Sequence, residues 1–169
     1  MARSGIRLAF VTDEARAPAA YAADIDAARE RMIVFVGSCT EQEWRAAPLD
    51  GDPRPVAVVA DHVADAYDYL AGWIRQIVVG QQVEVNSDVV DALNARHALA
   101  AAAVTRADAT DHLRRSGTAI SDLVAGLSAA DLAVGDGRVA RLAQIAARHA
   151  DDHRAEIETA LAARGLRRG

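Results

Sequence analysis

With 169 residues, 51% of them hydrophobic and 25% charged, the chain has the length and apolar content of one globular domain spanning residues 1–169. Aromatics make up only 4% and alanine dominates the apolar share, so the composition leans toward helix and away from sheet. The formal net charge of −5 argues against a nucleic-acid partner, and Arg164, Arg167 and Arg168 near the end are too few and too local to change that.

Apolar spacing predicts four helical stretches. The first runs from Pro18 to Ser38 with Tyr21, Ile25, Ala28, Met32, Phe35 and Cys39 on one face; Pro18 suits a first turn and Gly37 weakens the far end. Residues 40–54, with Trp44, Pro48, Gly51 and Pro53, read as a loop. Pro55 opens a second helix that continues to Val79 before Gly80 stops it, with Val59, Val63, Tyr67, Leu70 and Ile74 in its stripe. A third begins among possible caps at Asn86 to Asp88 and runs to about Leu127, with a bend or break expected at Gly117. Gly135-Asp136-Gly137 signals a turn, and the last helix spans Arg138 to Arg164. Short connections and long amphipathic stripes of this kind make an all-α four-helix bundle.

Cys39 is the only cysteine, so no internal disulfide forms, and its place on the first stripe reads as buried filler rather than a nucleophile. Arg7, Asp13, Glu14 and Arg16 interrupt any leader-like apolar run. No segment approaches the roughly 20 apolar residues of a membrane helix, so a cytoplasmic protein with no membrane partner is expected.

Of five histidines, His149 and His153 are four apart and fall inside the last helix's stripe of Val139, Leu142, Ala146, Ala150, Ile157 and Leu161. Burying two imidazoles there without partners costs on the order of a few kcal/mol, which a metal ion relieves by accepting a lone pair from each ring. His62 sits at the edge of the second stripe with Ala66, Tyr69 and Trp73 and can lean into the same space. Three imidazoles suit zinc, nickel or another borderline divalent ion and leave a position open for water or substrate. Core packing is the expected role of His97, with the same cavity as its alternative, and His112 reads as a helix-surface residue. Asp61 and Asp152 are candidates for orienting the ligand rings. Imidazole must be neutral to bind metal, so affinity is expected to fall below about pH 6.5.

Other chemistries fit less well. The residue after His149 is Ala150, where a zincin places its general-base glutamate. No histidine has an acidic residue three positions earlier, as a di-iron bundle requires. Neither a Gly-rich phosphate loop nor a Gly-x-Ser-x-Gly elbow is present.

Three features together resemble the DinB-like, or YfiT-like, superfamily: Trp44 in a loop before the proline-opened segment Pro55 to His62, the long third helix, and the run from Arg138 to His153. The likeness covers residues 18–164. It implies an up-down-down-up bundle, with the nine residues Gly80 to Asp88, stretching roughly 30 Å, crossing between parallel second and third helices. It also implies His62, His149 and His153 as metal ligands, although the mycothiol-dependent maleylpyruvate isomerase branch carries a carboxylate where this chain has His149. The function implied is a homodimeric, metal-dependent S-transferase or isomerase that joins a small-molecule thiol to an electrophilic substrate. The alanine- and arginine-rich composition suits a high-GC bacterium and makes mycothiol the first candidate thiol. The alternative is a non-catalytic bundle that binds a partner or an apolar ligand in a pocket lined by Tyr67, Tyr69 and Trp73.

Overall fold

A computed structural model describes residues 16–49 and 51–167; Arg7, Asp13, Glu14 and Arg168 lie outside them. The described residues form six helices and no strand: α1 (Pro18–Ser38), α2 (Glu41–Arg45), α3 (Val56–Val78), α4 (Ser87–Ala100), α5 (Arg106–Ala125) and α6 (Ala129–Ala163). Among them no single helix is long and apolar enough to cross a membrane.

Local chemistry sets most of the helix ends. Pro18 occupies the first turn of α1. Beyond Val79, Gly80 takes the left-handed backbone (φ 80°) that closes a helix at low cost. Asn86, Thr105 and Ser128 cap α4, α5 and α6, each accepting a backbone N–H with its side-chain oxygen. α2 lies in the stretch read as loop. Its signature is Thr40-x-x-Glu43, a reciprocal capping box in which the Thr40 hydroxyl accepts from Glu43 N and the Glu43 carboxylate accepts from Thr40 N.

The expected third helix is two. It breaks at 101–105 rather than at Gly117, which lies inside α5. A Cβ on Gly117 would come 2.5 Å from Arg29 Cδ, so this glycine admits a neighbouring side chain instead of bending the helix. The alanines at the true break favour helix by propensity. They carry too little side chain to hold one straight rod against two differently placed partners, and the Thr105 cap restarts the chain. The expected turn at Gly135-Asp136-Gly137 is present as three left-handed residues interrupting α6.

α1, α3, α5 and α6 form the bundle, with α1 and α3 each packed against both α5 and α6. Ser121 Oγ donates to Ala22 O and Arg29 reaches Thr118, so α1 and α5 run in opposite senses. Arg31 pairs with Asp151 while Phe35 and Ser38 share a groove with Arg154 and Glu158, so α1 and α6 run together. His112 meets Asp61 and Gly117 lies by Tyr67, making α3 and α5 parallel; His62 beside His149 and Ile77 beside Gly135 make α3 and α6 antiparallel. These senses are compatible with an up-down-down-up order. The return between the parallel helices differs from the expected extended nine residues, because it includes α4, packed along α3. A helix satisfies its own backbone groups, which an extended crossing would leave to find other partners.

The core is filled by Ile25, Met32, Tyr67, Ile74, Leu113, Ile120, Ile157 and Leu161, all fully buried. At one end, Arg167 Nε donates to Glu43 Oε1 at 2.6 Å and the guanidinium lies over the Phe35 ring. Glu43 is only 4% exposed, so removing its cation strands a buried charge. Arg167→Ala should therefore cost about 3 kcal/mol in denaturant unfolding. The Arg167 hydrogen bond, with those from Thr40, holds the Glu43 carboxyl down at about 2 against its ordinary 4.5. That stabilisation is complete above pH 4.5 and disappears as pH falls toward 2, so Glu43→Gln should flatten the acid limb of stability over this window.

Candidate metal centre

His62 lies in the second turn of α3, and His149 and His153 occupy successive turns of the antiparallel α6. One ligand atom from each ring can be chosen so that all three lie within 4.8 Å of one another. Ring centroids are 5.2 Å apart for His62 and His149, 5.3 Å for His62 and His153, and 4.6 Å for His149 and His153. Helical spacing aligns the α6 pair, while Ala146, Ala150 and Ile157, fully buried beside them, turn that face into the bundle.

Each ring has a buried nitrogen with no hydrogen-bond partner: Nδ1 of His62, Nε2 of His149 and Nδ1 of His153. Glu156 Oε2 comes within 3.4 Å of His153 Nδ1 without making a hydrogen bond. Burial pushes the His62 and His149 imidazoles down to about 3, with His149 and His153 adding repulsion at His62 and His153 adding it at His149. Burial also lowers His153. Arg54, bidentate with Asp52 in the loop before α3, adds positive charge that disfavours protonation of His62 and His153. The donor set fits a divalent ion: three neutral imidazoles with free lone pairs, drawn from two helices.

The other two histidines belong to a different arrangement. Asp61 Oδ2 lies 2.9 Å from His97 Nε2, and Asp61 Oδ1 lies 2.9 Å from His112 Nδ1. His112 Nε2 continues to Asp68 Oδ2 at 3.2 Å. Burial opposes ionisation of Asp61, but the hydrogen bonds to His112 and His97 outweigh it and hold the carboxyl well below its ordinary range. The same bond from Asp61 raises His112. His112 is thus half-buried between two carboxylates rather than a solvated surface residue. The signal in the sequence was Asp61 and Asp68, seven apart on one helical face. Asp61 orients these two rings and not the metal-candidate trio, and Asp152 is exposed. His97 is 7% exposed, and its ring lies 5.8 Å from that of His62.

Cys39 is buried, its thiol pushed up to about 11 by desolvation, consistent with a packing role. Tyr67 does not share a face with Tyr69 and Trp73. It is fully buried near Gly117, while Tyr69 and Trp73 contact each other at 5.0 Å.

A family model described as the DinB superfamily matches residues 24–157, most of the chain. No curated protein and no solved structure matches it.

The lowered imidazoles revise the expected onset of proton competition. In the folded chain burial holds His62 and His149 neutral well below 6.5 and lowers His153 as well, so proton competition for the metal should set in below pH 6.5 rather than at it. Stability of metal-free protein carries a pH dependence of its own. The unfolded rings take up protons near 6.5 and the folded ones do not, so the contribution is complete above 6.5 and fades as pH falls toward 3. Denaturant titrations of metal-free wild type and His149→Leu should show this slope between pH 6.5 and 4 becoming shallower in the variant.

Proposed function

The chain belongs to the DinB superfamily, and we propose that it is a metal-dependent S-transferase or isomerase acting through a low-molecular-weight thiol, with His62, His149 and His153 as ligands of one zinc or nickel ion. The observation that carries this reading is the convergence of His62, His149 and His153 from two antiparallel helices, with one ligand atom of each lying within 4.8 Å of the others. Three protein ligands leave a coordination position open, the arrangement of a reactive site rather than a structural plug.

A divalent ion bound there supplies Lewis acidity, which stabilises a thiolate at neutral pH. The chain's own groups do the rest. Burial keeps the three rings neutral, so each has one nitrogen with a lone pair to offer a cation. Arg54, paired with Asp52 before α3, adds to the bias against protonating His62 and His153. The thiol proton passes to solvent, and the thiolate sulfur forms a bond to an electrophilic carbon of the substrate as that carbon's bond to its leaving group, or its π bond, breaks; the released electron pair takes up a proton from solvent. Mycothiol is the thiol to test first, and the family likeness supports a cytoplasmic homodimer.

Elemental analysis of purified protein should find one zinc or nickel per chain in wild type and a loss of at least most of it in His153→Ala. Added metal at 100 times its dissociation constant should raise stability by about 2.7 kcal/mol. Protein that stays bare, with melting unmoved by zinc or nickel, would support the non-catalytic bundle instead. For the thiol, cobalt-loaded protein titrated with mycothiol should develop a sulfur-to-metal absorption band; no band with mycothiol or other low-molecular-weight thiols sinks the transferase reading.

A further inference from the structure

α4 covers the cluster from the α3 side, yet its inward face is not an apolar stripe. Its only buried residue is His97. That ring is tethered through Nε2 to Asp61 at 2.9 Å, and Asp61 is itself held by His112. A carboxylate only accepts hydrogen bonds, so Nε2 of His97 carries the hydrogen, which leaves Nδ1 as the nitrogen with a lone pair to offer. Nδ1 is buried and meets no protein donor, and the ring lies against His62. Three residues earlier, on the same face of α4, the carbonyl oxygen Oδ1 of Asn94 is also buried and unpartnered. Two acceptors without donors on one helix face, one of them in the ring that lies against His62, are costly unless a bound molecule supplies the hydrogens.

We propose that His97 is a ligand-positioning residue: its Nδ1 accepts a hydrogen bond from the molecule that fills the metal's open position, so the site selects thiols bearing an O–H or N–H donor close to the sulfur. Asn94 offers a second acceptor to the same molecule. The proposal rests on the metal and thiol reading above and adds to it the class of thiol. Asp61 and His112 enter as the groups that fix the orientation of the His97 ring, which packing alone would leave free to flip.

The test uses full-length cobalt-loaded protein and two thiols of nearly equal size, 2-mercaptoethanol, which carries a hydroxyl donor, and 1-propanethiol, which carries a methyl group in its place. Dissociation constants are read from the sulfur-to-cobalt absorption band, and their ratio cancels differences in general pocket packing. His97→Ala should shift that ratio about five-fold toward 1-propanethiol, the size of one neutral hydrogen bond. Cobalt affinity and 1-propanethiol binding should change little. His97→Asn, which keeps an acceptor near the Nδ1 position, should restore most of the preference, a recovery that a purely structural role would not produce. If His97→Ala does not fold, His97→Phe keeps the ring shape without nitrogens and should give the same shift. An unchanged ratio in His97→Ala or His97→Phe overturns the proposal while the metal site stands. Wild type that takes up no cobalt, or shows no thiol band, removes the reading beneath and this proposal with it.

Discussion

Three imidazole rings pressed together between α3 and α6 set the terms for the rest of the molecule. Each has a buried nitrogen without a hydrogen-bond partner, and protonating any of them would place a cation in a dry space beside the other two. An unsatisfied buried polar atom costs about 1–3 kcal/mol, so three of them oppose folding appreciably. The helical framework tolerates that because Ile25, Tyr67, Ile74 and Ile157 and their neighbours fill a continuous core around them. A divalent ion would turn the liability into a bond set, which is why the same feature that weakens the metal-free chain makes the trio a candidate ligand site.

The five histidines divide into two populations by partner. His62 and His149 have no acidic partner, and burial drives them and His153 toward the neutral form, at His153 against the opposing pull of Glu156. His97 and His112 share one carboxylate, Asp61, and His112 reaches a second, Asp68, which pulls it toward the protonated form. Asp61 and His62 are adjacent in sequence yet serve different neighbours of α3, since successive residues on a helix point about 100° apart. One helix thus supplies both a metal-candidate ring and the anchor for a separate polar chain that ties α3 to α4 and α5.

Topology and site are coupled through α4. Because α3 and α5 run in parallel, the chain has to travel back along the bundle between them, and it does so as a helix lying on α3. That return path is what carries Asn94 and His97 to the His62 side. A direct hairpin between antiparallel helices would leave this face of the cluster without α4 and its two unpartnered acceptors.

Much of this was legible in the residues alone. Helix identity, the span of α1 and α3, the turn at Gly135 to Gly137 and the inward face of His149 and His153 all follow from local rules of periodicity, capping and backbone preference. Thr40-x-x-Glu43 was equally local and marks α2. The break at 101–105 was not legible, because an alanine run favours helix and only its competing packing partners interrupt it. Nor was the pairing of Asp61 with His97 and His112, which lie 36 and 51 residues away in the chain. The depressed imidazoles belong to the same class, since desolvation depends on what surrounds a group in space. Spacing along one helix decides which way a side chain faces; which distant residue meets it there, and how dry that meeting place is, depends on helices brought together by the whole core.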